Sequence, residues 1–377
     1  MAYRSSHAPS RADRLARRIR DAEADLFAAL GVDVDEFDLR LARTGIRVRV
    51  LAHGSGPPLV LLHGVSLSAA MWAPLFSSLP GWRSVCVELP GHGLSDPARY
   101  RRGEVRRYAH ELIDDIFDGL EIDEAPVLGH SLGGMFALWH VAAGRGRISG
   151  LVALGEPAVA LPGVRVRMPL SLLTVRGLGT VVLRSPAPRP VYRRLLAQGL
   201  GSAEVAAAPE PLIEALRLSA RRPENARTVA SLMHAIDRFR RPRAESVLSK
   251  AELAAITAPI TFILGSDDPY LPPSCARPSI DRIPTAAFYE VPAGHAPWLV
   301  NAEQTAALIA THWTLQIGST SETQPGTSGV VVHDGVEEGA SEGKYASLRN
   351  PEVSEPSLGW RCTDRAEVGP VDRGGGL

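Results

Sequence analysis

Six short runs of the chain are apolar at nearly every position: PLVLLHG (58–64), SVCVELPG (84–91), APVLGHS (125–131), GLVALGEP (150–157), PITFILGSDD (259–268) and AAFYEVPAGH (286–295). A strand that reads apolar throughout is buried on both faces, as in a parallel sheet covered by helices. Ahead of them, FDLRLAR and IRVRVLA alternate apolar with polar residues around Thr44-Gly45. That alternation predicts an antiparallel hairpin with one solvated face. Helical spacing falls between the strands, at Tyr108–Leu120, Ser131–Ala143 and Glu303–Trp313. Alternating strand and helix predicts the α/β class, a mostly parallel central sheet with helices on both faces.

Three segments fall outside that alternation. Residues 1–34 form an N-terminal extension, in which Leu15, Ile19, Ala22, Leu26 and Leu30 make one apolar face of an amphipathic helix. The simplest reading is a surface helix packed on the domain, since Asp21, Glu23 and Asp25 would oppose an anionic lipid surface. Residues 157–250 interrupt the alternation with a helix-rich, proline-punctuated insertion that reads as a cap or lid over the sheet edge. The expected core is therefore in two parts, 35–156 and 251–317. From residue 318 to 377, Gly, Ser, Glu and Pro dominate without periodicity, and a disordered tail is expected.

The chain has 377 residues, 41 basic and 41 acidic, and this balance offers no electrostatic footprint for nucleic acid. The balance is not even along the chain. The 157–250 insertion carries 15 Arg and 1 Lys against 5 Glu and 1 Asp. That excess keeps an outer face solvated, forms a basic rim that attracts an anionic substrate, or contacts a lipid surface. The 3 cysteines, Cys86, Cys275 and Cys362, lack metal-ligand spacing and argue against a disulfide scaffold. No transmembrane run and no signal-peptide core are read from the sequence, so a cytoplasmic protein is expected. Neither a metal nor a cofactor is expected, and oligomeric state is not readable.

Candidate chemistry centres on VLGHSLGG. Gly129-His130-Ser131-Leu132-Gly133 lies between a buried strand and a helix, the strand–turn–helix setting of the G-x-S-x-G nucleophile elbow. Small residues two before and two after the serine are needed where the turn brings backbone segments together. The turn lifts the hydroxyl to the carboxyl ends of the strands, at a helix N-terminus that favours developing negative charge. A serine hydroxyl needs a base. His295 in VPAGHAPW follows the last strand, and Asp267 and Asp268 in ILGSDDPYLP follow the one before it. The order Ser, Asp, His fits this topology. Two backbone N–H groups should receive the oxyanion, one from Leu132 and the other from Val65 in LLHGVSLSAAMW.

These pieces, with ELPGHGLSD, GHSLGG, GSDDPYLP and AGHAPW, resemble the α/β-hydrolase superfamily with an inserted helical cap, over roughly Phe37 to Trp313. The resemblance implies a Ser-Asp-His triad and says little about substrate. It favours Asp268 over Asp267, because the family's acid loop runs glycine, two variable residues, Asp, then proline four later, matching Gly265, Asp268 and Pro272. Glu88 stands where the family often has Asp, a change expected to leave its loop intact. Serine at the elbow departs from haloalkane dehalogenases and epoxide hydrolases, which use Asp. Ester or thioester hydrolysis of a small to medium, partly apolar acyl substrate, neutral or anionic, is the leading expectation. Acyl transfer, C–C hydrolysis, perhydrolysis and a ligand-binding receptor are its alternatives. His63, Glu156 and Trp298 are candidate substrate contacts. Trp72 and Trp298 are both expected to wedge loops against the core, with lining of the acyl pocket as the other reading of each. For Glu156 a hinge or cap hydrogen bond is the simpler expectation, and His92 is expected to order its own loop.

Overall fold

The computed structural model describes residues 10–165, 171–172, 175, 177–184, 187–239 and 241–320, with side chains as far as 311. Its chain order is α1 (Arg11–Leu30), β1 (Asp35–Arg40), β2 (Arg47–His53), β3 (Pro58–Leu62), α2 (Ala73–Phe76), β4 (Arg83–Val87), α3 (Val105–Gly119), β5 (Ala125–His130), α4 (Leu132–Ala142) and β6 (Ile148–Leu154). There follow α5 (Leu178–Arg184), α6 (Arg189–Leu200), α7 (Ser202–Ala207), α8 (Glu210–Ser219), α9 (Pro223–Ile236), β7 (Asp237–Arg238), β8 (Arg241–Pro242) and α10 (Lys250–Ala254). The last elements are β9 (Ile260–Gly265), α11 (Pro273–Ile280), β10 (Ala286–Val291) and α12 (Ala302–Thr320).

Eight strands form one sheet in the order β1-β2-β4-β3-β5-β6-β9-β10. The hairpin β1–β2 is antiparallel, and β2 meets β4 antiparallel. From β4 to β10 every neighbouring pair is parallel. Strand order therefore reverses at β3, with β4 on one side and β5 on the other. Open α/β sheets place ligand sites at the carboxyl ends of strands beside such a reversal. The residues of β9, apolar but for Thr261 and the terminal Gly265, are all buried, as double-face burial requires. Two large apolar clusters flank the sheet. One contains Leu62, Val127 and Phe262 with α3 and α4, the other Leu61, Leu128 and Ile263 with Trp72, Trp298 and α12.

Helix α1 is a well-delimited element. Ser10 Oγ accepts from Asp13 N–H while the Asp13 carboxylate accepts from Ser10 N–H, and Gly31 ends the helix in the left-handed region at φ 64°. Its face Ile19, Ala22 packs on Leu94 and on Ala215 and Leu218 of α8. Burial of a side chain the size of Ile19 contributes about 1.5–3 kcal/mol. The same face carries a charge inward. Glu23 is fully buried and takes both guanidinium nitrogens of Arg49, on β2, at 3.1 and 2.7 Å. Glu36 adds a 2.7 Å bond and Glu88 lies 3.7 Å away, so three carboxylates surround one arginine. Burial and the neighbouring Glu23 outweigh Arg49 and lift the Glu88 carboxyl to about 7.

Several sequence expectations need adjustment. The last helix runs to Thr320, past the expected boundary at 317, and most of the expected tail lies outside the described residues. Cys86 is a buried free thiol. The insertion, expected to be helix-rich, also holds the short β7–β8 pair. Among the described residues, no helix is long and apolar enough to cross a membrane.

Candidate active site

Ser131 sits between β5 and α4 at φ 48°, ψ −107°, a conformation that costs a non-glycine residue free energy and recurs at functional sites. The surrounding glycines make the turn possible by close approach. A Cβ on Gly133 would meet Leu62 O at 2.1 Å, and one on Gly129 would meet Gly134 Cα at 2.6 Å. Gly133 N–H donates to His63 O at 3.1 Å, tying the turn to the loop after β3. Leu132 opens α4, so its N–H has no carbonyl within the helix.

His295 and Asp268 meet from the loops after β10 and β9. His295 Nδ1 lies 2.7 Å from Asp268 Oδ2, with both side chains almost completely buried. Asp268 is held by two further donors, Glu156 N–H on Oδ2 and Tyr270 N–H on Oδ1, each at 3.0 Å. Three donors on one carboxylate fix its orientation. Asp267 is exposed, and its described bond is a backbone one to Ala293 O. The other ring nitrogen of His295, Nε2, is buried with no hydrogen-bond partner among the described residues. His295 and Ser131 line the same cavity, about 310 Å³ in volume, as do Val65 and Leu132.

The imidazole loop is secured from several directions that sequence reading missed. His295 N–H donates to Leu200 O at 2.7 Å, and His295 O accepts from the Nε2 of His130 at 3.0 Å. The buried Glu204 of α7 accepts from Gly294 N–H. Gly155, at φ 67°, passes directly beneath: a Cβ there would meet His295 O at 2.3 Å and Nδ1 at 3.0 Å. Proximity of Gly-Glu-Pro after β6 to the histidine was a usable signal only once strand order was known. Glu204 reads in sequence as one more surface carboxylate on a short helix.

The three candidate substrate contacts lie elsewhere, behind the cavity wall. His63 is fully buried; its Nε2 accepts from Leu89 N–H at 3.0 Å and its Nδ1 donates to Gly64 O at 2.8 Å. Burial and the nearby His92 press its pKa down to about 3, so it is neutral and serves to join two loops. Trp298 stacks on Trp72 at 4.8 Å and donates to Met71 O, which fills an apolar wedge between loops. Glu156 contributes its backbone N–H to Asp268, while its carboxyl is fully buried without a partner among the described residues. Burial, then the charge of Asp268, pushes that carboxyl well above the usual range. His92, expected only to order its loop, lies 3.1 Å from Pro90 O and also lines the cavity; burial lowers its pKa to about 4.

The rest of the cavity is mostly apolar and comes largely from the insertion: Leu195 and Leu196 on α6, Val229, Leu232 and Met233 on α9. Among the described residues no group of His, Cys, Asp and Glu has the arrangement of a metal site.

The sequence-family model described as the alpha/beta hydrolase fold matches residues 57–302, more than half of the chain. Three curated relatives are pimeloyl-(acyl-carrier protein) methyl ester esterases. The chain is 39% identical to that of Nitrosospira multiformis over 22% of its own length, and spans only 33% of that enzyme. It is 27% identical to that of Shewanella sp. strain MR-7 over 72% of this chain and 95% of the other. It is 30% identical to that of Xanthomonas oryzae pv. oryzae over 67% of this chain and 92% of the other. Among solved structures, carboxylesterase CesB from Bacillus subtilis aligns with TM-score 0.61 and 18% identity, over 80% of this chain and 98% of that one. The 2-hydroxy-6-oxo-6-phenylhexa-2,4-dienoate hydrolase of Rhodococcus sp. strain RHA1 aligns with TM-score 0.62 and 19% identity, over 75% and 99%. The elbow, the parallel sheet and the matched span agree: the chain belongs to the α/β-hydrolase fold family.

Proposed function

We propose that the protein is a serine hydrolase that cleaves a carboxylic ester or thioester with an apolar acyl group through an acyl-enzyme on Ser131. The observation that carries this reading is the His295–Asp268 pair at 2.7 Å, whose outer nitrogen is unpartnered and lines the cavity that Ser131 also lines. Nδ1–H donates to the fixed carboxylate of Asp268, which leaves Nε2 as the acceptor on the cavity side. His295 Nε2 takes the Ser131 proton as Oγ attacks the acyl carbon, and returns it to the leaving alkoxide or thiolate. Water then attacks the acyl-enzyme under the same base. The N–H groups of Val65 and Leu132 receive the oxyanion in both half-reactions, each donor worth about 10²–10³-fold in kcat.

The insertion acts as a cap in this reading, supplying Leu195, Leu196, Leu232 and Met233 as apolar walls for the acyl chain and excluding water from the oxyanion. Relatives named as methyl ester esterases support ester cleavage as the reaction. A fluorophosphonate probe tests the proposal: rapid labelling of the native protein, abolished in Ser131→Ala, is expected. A folded protein that neither labels nor hydrolyses any p-nitrophenyl acyl ester would refute it.

A further inference from the structure

Part of the insertion's positive excess gathers in one place. Most of its carboxylates are already committed: Glu210 to Arg193, Glu224 to Arg222, Glu245 to Arg102, and Glu214 to Arg189 and Arg217 at once. Two of its arginines meet arginines of α1 in one groove. Arg184 and Arg221 of the insertion face Arg11, Arg14 and Arg18 of α1 around a space of about 640 Å³, with Glu224 as the one carboxylate among its lining residues. Arg11, Arg184 and Arg221 make no side-chain hydrogen bond or ion pair among the described residues, and Arg18 reaches only the shared Glu214, at 3.8 Å. Gathering like charges in one concavity is unfavourable unless an anion joins them.

Position gives the groove a role. Arg221 lines it and also lines the cavity that holds Ser131, so the two spaces adjoin. The cavity offers apolar walls, and the groove offers guanidinium forks, whose geometry matches phosphate oxygens in pairs. We infer that the groove between α1 and the insertion seats the phosphate-bearing head of an acyl substrate whose chain occupies the cavity. This rests on the serine hydrolase reading above and narrows its substrate class to amphiphiles with a multiply anionic leaving group. A concave site beside the acyl cavity suits a small-molecule head more than the face of an acidic protein. It also gives α1, which precedes the matched family region, a part in recognition.

The test compares one acyl chain on different heads: its coenzyme A thioester, its N-acetylcysteamine thioester (the same reacting bond without phosphates) and its lysophosphatidic acid, a lysophospholipid whose leaving glycerol phosphate is also multiply anionic. The phosphate-bearing substrates are expected to exceed the cysteamine thioester in kcat/KM by about tenfold or more at low salt, an energy that one or two well-placed charge contacts supply. The excess should collapse near about 1 M salt, where the screening length is about 3 Å. Arg11→Glu/Arg184→Glu should lose the excess and weaken binding of free coenzyme A, while the cysteamine thioester rate holds. Arg17→Glu, on the same helix but outside the groove, should retain it. Preference for coenzyme A or for the lysophospholipid identifies the source of the phosphate, and either supports the inference. Equal rates on all three heads, or turnover only when the chain is carried by an acidic carrier protein, overturn it. Hydrolysis of the neutral thioester in those cases leaves the serine hydrolase reading standing, whereas absence of all turnover and of probe labelling removes that reading itself.

Discussion

Replacing Gly155 by alanine separates the two costs a glycine can hide. The residue has φ 67°, and its new Cβ would lie 2.3 Å from His295 O and 3.0 Å from Nδ1. The first contact is with backbone, and it has to open by about 1 Å to reach ordinary separation. That backbone has little freedom, because His295 O is held by His130 at 3.0 Å and His295 N–H by Leu200 O at 2.7 Å. The left-handed conformation costs alanine about 1–2 kcal/mol, and overpacking adds about 1–3 kcal/mol. A shift of about 1 Å in the proposed base, His295, costs about 10²-fold in rate. The comparison is Gly144→Ala, where φ is again 67° but nothing lies within 4 Å. Expected results are a kcat/KM on a p-nitrophenyl ester lower by about 10²-fold for Gly155→Ala and unchanged for Gly144→Ala. Both variants should lose Tm, Gly155→Ala by more. Wild-type activity in Gly155→Ala, or an equal loss in Gly144→Ala, would show that the loop geometry is not what positions His295.

Asp268→Asn should lower kcat by about 10⁴-fold through the wrong imidazole tautomer, while Asp267→Asn stays near wild type; the reverse ranking in the same ester assay would transfer the role to Asp267. Glu23→Ala should destabilise the protein by about 3 kcal/mol in urea unfolding, the low end for a broken buried ion pair, because Glu36 still holds Arg49 at 2.7 Å. Acid should destabilise the fold early. Burial depresses His63 to about 3 and His92 and His140 to about 4, and His130 well below its ordinary 6.5. The unfolded chain binds those protons first, so stability falls as pH drops through 6.5 toward about 3, opposed in part by Glu88, whose raised pKa favours the folded state between 4.5 and about 7, and by Glu156, raised in the same direction. A urea midpoint that is equal or higher at about pH 5 than at about pH 7.5 would contradict this balance.

The elbow and the parallel strands were legible because their signals are local. Small residues around Ser131, and runs apolar at every position, follow from backbone crowding and double-face burial. Asp268 and His295 were legible as a pair once strand order was assumed, since both follow strands that end at one edge. What was not legible is what depends on neighbours remote in the chain. Glu23 reads as part of the charged side of an amphipathic helix, yet it is fully buried because Arg49 waits on β2. His63, Glu156 and Trp298 sit in loops near the reacting groups, but burial turns them toward loop joining and packing. Nothing in the local pattern distinguishes a polar side chain facing a cavity from one facing the wall behind it.

The inward-facing carboxylate of α1 bears on where this protein begins as a folding unit. The recognisable family region starts at residue 57, after both partners of the Glu23–Arg49 pair have passed. A version cut at that point would also forfeit two strands of the sheet, and β4 would be left with a bare flank on the side that β2 covers. One cut at residue 35 would keep every strand and still strand a guanidinium in the interior with its chief counter-ion gone. The boundary drawn by resemblance and the boundary drawn by charge neutrality are different lines, and a stable fragment has to respect the second.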